Sequence, residues 1–153
     1  MTFQDAINTC LRQKYATFSG RASRSEYWWF GLGFMLYMLA ATALFFLVNG
    51  ATGGFGMDRG ISVLGGLIGA VAAIGYLALI VPAIAVTVRR FHDYNLSGWW
   101  VLAGLVLSAL PMIGIIASIA MFVISVLKGT NGDNRFGPDP LAAQIPSDAG
   151  PIL

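Results

Sequence analysis

The chain has 153 residues, of which 57% are hydrophobic and only 10% charged, with a net charge of +2. Soluble domains carry about 25% charged residues, so this composition excludes an ordinary cytosolic enzyme, a disordered tail and a basic nucleic-acid binder. A single cysteine, Cys10, excludes an intrachain disulfide, and the class indicated is an all-α membrane protein.

The first element expected in chain order covers residues 3–18, where Phe3, Ile7, Cys10, Leu11, Tyr15 and Phe18 recur at helical spacing. Asp5, Asn8, Arg12 and Gln13 take the opposite face, and Thr2 with Asp5 forms a capping-box pattern. The pattern predicts an amphipathic helix lying on the inner leaflet; the plainer alternative is packing on the protein's own cytoplasmic segments. Ser23-Arg24-Ser25-Glu26 is a second capping box, in which Ser23 accepts from the Glu26 N–H and Glu26 reaches back to the Ser23 N–H. Trp28 and Trp29 follow as interfacial anchors.

Trp28–Val48 supplies 21 residues without a charge, enough to cross ~30 Å of hydrocarbon. Its 27-residue leader and its long apolar run argue for a retained helix rather than a cleaved signal peptide. Asn49–Gly60 is rich in glycine but lacks the Lys-Ser/Thr pair that completes a phosphate-binding loop; it reads as a flexible periplasmic connector. A second span is expected over Leu64–Val86, modestly kinked by Pro82. Its Gly65-x-x-x-Gly69 spacing allows close helix packing, either within the chain or in a homo-oligomer through Gly65 and Gly69.

Arg89–Asn95 reads as a cytoplasmic loop, and Ser97 as the N-cap of a helix that opens with a second anchoring pair, Trp99 and Trp100. Leu96–Leu127 holds 32 uncharged residues. As one straight helix these would measure about 48 Å at ~1.5 Å per residue, too long for ~30 Å without a tilt beyond the usual range. Pro111-Met112-Ile113-Gly114 reads as a turn, which predicts two short helices, Gly98–Leu110 and Met112–Leu127. The proline-containing tail after Gly137 is expected to lack regular structure.

Charge placement selects the topology. With the hairpin, eight of the nine Lys/Arg residues lie on one side, leaving Arg59 opposite; a single third span gives six to three. The positive-inside rule prefers the former, with both termini cytoplasmic. The fold expected is therefore a polytopic helical bundle of two full spans plus a hairpin, four membrane helices in all, with an interfacial N-terminal helix. It divides into residues 1–22 (amphipathic segment), 23–128 (transmembrane domain) and 129–153 (cytoplasmic motif and tail).

Three stretches carry a family likeness: Phe18 to Trp29 (FSGRASRSEYWW), Arg89-Arg90-Phe91-His92-Asp93 with Ser97-Gly98-Trp99-Trp100, and Gly129 to Pro140 (GTNGDNRFGPDP). In this order they resemble the YhaH-like small bacterial inner-membrane proteins, over about residues 12–141. The chain departs from that pattern at Phe91, Leu96 and Asn131, where the family usually has leucine and often has a basic residue and proline. The resemblance implies a bacterial inner-membrane location. It implies no reaction, because the family's domain is one of unknown function.

Chemistry-bearing residues gather in these motifs. Arg21, Arg24, Arg89, Arg90 and Arg135 are candidates for holding an anionic lipid headgroup, or for clamping helix ends together through bidentate pairs. Glu26, His92, Asp93 and Asp139 are the ion-pair candidates. His92-Asp93 is the one pair resembling acid–base machinery, but no second histidine or nucleophile accompanies it, and no metal-ligand set is evident. The spans hold no ionisable residue of the kind that marks an ion pathway. The expectation is a non-catalytic scaffold or lipid-interacting accessory protein without cofactor or nucleic-acid partner. A small oligomeric transporter or channel, and a membrane enzyme using His92 and Asp93, are the alternatives.

Overall fold

A computed structural model describes residues 1–54 and 61–142. The distal part of the expected glycine-rich connector and most of the proline-containing tail lie outside the described residues. Every named element among the described residues is helical, without strands: α1 (Phe3–Asn8) runs into a π-turn (Thr9–Gln13), then α2 (Arg24–Ala51), α3 (Val63–His92), α4 (Trp99–Ser108) and α5 (Ile113–Val126). Two of these, α2 and α3, are long and apolar enough to cross a membrane.

The local signals account for most of the boundaries. Thr2 and Asp5 form the expected reciprocal capping box at the start of α1. The helical register then stops at Gln13, earlier than the periodicity predicts, because the Lys14 N–H bonds the Thr9 carbonyl and Lys14 leaves helical geometry. α3 extends further than expected: Arg89, Arg90 and His92 form its last turn instead of a loop. Cations are favourable at a helix C-terminus. At α4 the N-cap position falls on Gly98 rather than Ser97, whose hydroxyl only reaches the Trp99 amide at 3.5 Å.

α4 and α5 are joined through Pro111 and Met112, at the place the sequence marks as a turn. Met112 has φ 64 and ψ −52, and the Ile113 N–H bonds the Pro111 carbonyl at 2.7 Å. This is the strained γ-turn geometry. Gly104 faces Met121 while Gly114 abuts Ser108, so the two short helices run antiparallel against each other.

The chain forms two compact units. The first comprises residues 1–30 and 82–153. One of its apolar clusters joins Cys10, Ala22, Phe30 and Val86 with Ile7, Leu11, Tyr27 and Ala83. The other joins Val88, Phe91 and Val101 with Leu96, Met121 and Ile124. Thus Ile7, Cys10 and Leu11 of the N-terminal segment pack inward, while Phe3, Tyr15 and Phe18 stay exposed.

The second unit, residues 31–81, pairs the remaining lengths of α2 and α3. Small residues mark the close approaches, as expected for helices packing without a hydrophobic driving force. Gly65 is covered by Asn49, Gly69 by Phe45 and Gly75 by Tyr37, whose hydroxyl donates to the Ala72 carbonyl at 2.9 Å. The glycines expected either at an intrachain contact or at a homo-oligomer thus meet side chains of their own chain. Fully buried Asn49 accepts from the Ser62 amide and hydroxyl at 3.1 and 3.2 Å, a polar lock at the start of α3. The outward side chains are apolar and bare, Leu39 at 65% and Val71 at 71% exposure. Water would penalise such a surface, whereas lipid would not.

Candidate functional site: a buried arginine–carboxylate cluster

The first unit holds an unusual concentration of buried charge. Arg21, Glu26, Arg89, Arg90, His92 and Asp93 are all buried, although charged side chains are almost never fully buried unless paired. Helical spacing creates part of the arrangement, since Arg90 and Asp93 are one turn apart at the end of α3. The rest is assembled from segments distant in sequence.

Asp93 is the hub. One carboxylate oxygen receives Arg21 Nε at 2.9 Å and the other receives Arg90 at 2.5 Å. Arg21 then spends its remaining donors on backbone carbonyls of the C-terminal motif, those of Thr130 at 2.6 Å and Gly132 at 2.5 Å. Arg90 likewise reaches the carbonyls of Leu127 and, at 3.4 Å, Ala22. The backbone around Asp93 is held too: its carbonyl accepts from both the amide and the hydroxyl of Thr130, at 2.9 and 2.8 Å. Gly129 sits so close to the Asp93 carboxylate that a Cβ there would collide with it.

Arg89 forms a second pair, with Glu26. The capping-box expectation is half met at this position: Ser23 Oγ accepts the Glu26 N–H at 3.2 Å, but the Glu26 carboxylate turns to Arg89 and to the Cys10 thiol instead of back to Ser23. Neutralising a buried guanidinium outweighs capping one amide, because an unpaired buried ion costs several kcal/mol, roughly, against ~1 for a cap. Burial, and then the neighbouring Glu26 charge, push the Cys10 thiol up from 9.0 to about 11. The Ala22 amide donates to the Arg89 carbonyl at 3.1 Å, tying the segment before α2 to the end of α3.

The remaining candidates have other partners. Among the described residues His92 joins no ion pair: Nδ1 lies 3.1 Å from the Gly20 carbonyl, and the ring stacks on Phe136 at 3.9 Å. Asp139 is not in the ion-pair network either. It accepts from the amides of Gly132 and Leu141 at 3.0 and 2.9 Å, and those bonds hold its carboxyl below the usual range. Arg135 is exposed, donates to the Asn95 carbonyl at 2.7 Å and lies over Phe136. Arg24 is exposed and lines a cavity of about 210 Å³ with Ser23, Ser25, Arg90, Lys128 and Thr130. Trp28 donates to the Ser125 carbonyl at 3.3 Å and meets Phe122 edge-on; Trp29 meets Phe3 edge-on. Trp99 and Trp100 are exposed.

Sequence reasoning missed Cys10, Thr130, Asn134 and Phe136 as members of this assembly. Asn134 donates to the His92 carbonyl at 2.9 Å and closes a four-residue turn with Gly137. Their signal was the glycine-rich C-terminal motif itself: Gly132 and Gly137 adopt positive φ, 72 and 139, which shapes the segment to wrap the cluster. Among the described residues no group of His, Cys, Asp and Glu side chains is placed to hold a metal ion.

The chain is similar to two proteins of Escherichia coli strain K12. It is 34% identical to the inner membrane protein YhaH over 128 residues, covering 84% of this chain and 90% of that one. It is 32% identical to the inner membrane protein YhaI over 132 residues, covering 84% and 89%. No solved structure matches. A family model described as a protein of unknown function (DUF805) matches residues 15–138, a stretch that contains every buried charge described above, and the chain belongs to that family.

Proposed function

We propose that this protein is a non-catalytic, multi-pass component of the bacterial inner membrane whose cytoplasmic rim is clamped by the arginine–carboxylate cluster and interacts with anionic lipid. The observation that carries the reading is the commitment of the buried groups. Asp93 is held by two guanidiniums and His92 by a carbonyl and an aromatic ring, so the side chains that would supply acid–base chemistry are spent on joining the segment before α2, the end of α3 and the C-terminal motif. The buried charges sum to one excess positive charge: Arg21, Arg89 and Arg90 against Glu26 and Asp93. A rim with that balance, edged by exposed Arg24, Lys128 and Arg135, favours anionic headgroups electrostatically.

In this reading α2 and α3 span the bilayer, and α4 and α5 enter from the cytoplasmic side as a hairpin, leaving both termini inside. Exposed Phe3, Tyr15 and Phe18 rest at the headgroup boundary beside Trp28 and Trp29. The inner-membrane location of YhaH and YhaI supports the placement. The test is native mass spectrometry of the purified full chain with mixed lipids. Selective retention of anionic over zwitterionic lipid is expected; equal retention of both overturns the lipid part of the proposal.

A further inference from the structure

We propose that the cavity at the N-terminus of α2 is a phosphate-binding site, and that the phosphate it takes belongs to an anionic glycerophospholipid; this rests on the membrane-rim reading above. The cavity is lined by Ser23, Arg24, Ser25, Arg90, Lys128 and Thr130 among others. α2 is 28 residues long, and its first turn presents the positive end of the helix dipole with backbone amides that lack intrahelical acceptors. Ser23 Oγ already serves the Glu26 amide, and Arg24 and Ser25, whose amides have no intrahelical acceptor, both line the cavity. This is the arrangement that receives phosphate groups at helix N-termini.

A second observation is independent of the helix. Arg90 lines the same cavity with its side chain only 1% exposed; its terminal nitrogens serve Asp93 and the Ala22 and Leu127 carbonyls, and its Nε–H is a buried donor without an acceptor among the described residues. Such a donor is costly unless something accepts from it. The local charge agrees: Arg24, Arg90 and Lys128 face Asp93 and Asp139, an excess of one positive charge. Both carboxylates are already occupied, Asp93 by Arg21 and Arg90, Asp139 by two backbone amides. Among the described residues, Arg24 and Lys128 form no ion pair and remain available to an incoming anion. The Ser23 and Ser25 hydroxyls hydrogen-bond each other at 3.0 Å and leave one O–H as a further donor. Trp28 and Trp29 begin one turn along the same helix, with exposed apolar side chains beyond them. A lipid whose phosphate sits here would lay its acyl chains along the exposed apolar start of α2, a contact that a free ion cannot make and the ground for assigning the phosphate to a lipid.

The test uses the purified full chain with phosphatidic acid, phosphatidylglycerol and phosphatidylcholine, read by native mass spectrometry with and without excess inorganic phosphate. Arg24→Gln with Lys128→Gln should weaken retention of both anionic lipids about tenfold or more, as two lost charge-assisted contacts imply. Ser25→Phe, which keeps every charge but fills the cavity, should do the same, whereas Arg135→Gln should not. Circular dichroism melts identify any variant that fails to fold. Unchanged retention in the Arg24/Lys128 double variant, or an equal loss in Arg135→Gln, overturns the site while leaving the anionic-rim proposal standing. Absence of any anionic preference in the wild type removes both. Full displacement of lipid by inorganic phosphate keeps the phosphate site but overturns its assignment to lipid.

Discussion

Asp93 is the residue on which most of the cluster turns, and its replacement has a calculable direction. Asp93→Asn keeps the shape but leaves Arg21 and Arg90 buried beside a neutral amide. Removing one partner of a buried ion pair costs about 3–5 kcal/mol, so a large drop in thermal midpoint is expected by circular dichroism in detergent. Asp139→Asn, by contrast, should melt near wild type, because Asp139 only accepts from backbone amides at the surface. Gly129→Ala tests the same hub from the opposite side. The added Cβ meets the Asp93 carboxylate, and overpacking of this kind costs roughly 1–3 kcal/mol. Cys10 supplies a pH-dependent readout. Its thiol, pushed from 9.0 to about 11, binds its proton more tightly in the folded than in the unfolded state. Stability should be unaffected below pH 9 by this group and fall as pH rises from 9 to 11, as the unfolded thiol ionises first. The matching observation is that a thiol-reactive probe at pH 8 labels the denatured chain and leaves the folded one unmodified.

At the scale of elements, the turn between α4 and α5 is where the backbone itself carries strain. Met112 holds a positive φ that a glycine adopts freely. Met112→Gly should therefore leave the helix pair intact and raise stability by about 1 kcal/mol or less, measured by the same melts; a loss of stability would mean that the Met112 side chain matters more than its backbone. This turn was legible in the sequence because proline and glycine act locally, and so were the Thr2–Asp5 cap and the apolar lengths of α2 and α3. The continuation of α3 through Arg89 and Arg90 was not. A run of two arginines reads as solvated loop until Glu26 and Asp93 are known to neutralise it, and Glu26 lies 63 residues away. The same limit explains why the sequence drew Glu26 into a capping box. Its spacing from Ser23 is local information, whereas its competing partner is a matter of tertiary structure. Asp139 and His92 have backbone and ring partners rather than the ion pairs expected, for a related reason: charge type nominates a residue for an ion pair, but backbone amides, carbonyls and rings compete for it.

For the whole molecule, the testable quantity is sidedness. With two spans and a hairpin, a periplasm-dependent phosphatase fused to the C-terminus should be inactive, and the same reporter inserted after Gly54 active. Activity at the C-terminus would mean that residues 96–127 cross the membrane once. Composition had already made the chain a membrane protein, but the folded structure changes what its few charges are for. Of the five arginines expected to face lipid, Arg21, Arg89 and Arg90 are turned inward, and Arg24 and Arg135 stay exposed.

The wrapping of the C-terminal motif around Arg21 sets an order of events during synthesis. Arg21 is made early, yet its carbonyl acceptors at Thr130 and Gly132 lie 109 and 111 residues later in the chain. Until those residues leave the ribosome, a charge destined for the interior has only part of its coordination, and Asp93 lacks the Thr130 strap that fixes its backbone. A nascent or truncated chain is thus an open one, with its rim charges hydrated and its helix ends loosely joined. Closure therefore waits on residues 130–132, and a chain stopped before them is expected to be cut more readily in limited proteolysis than one that carries them.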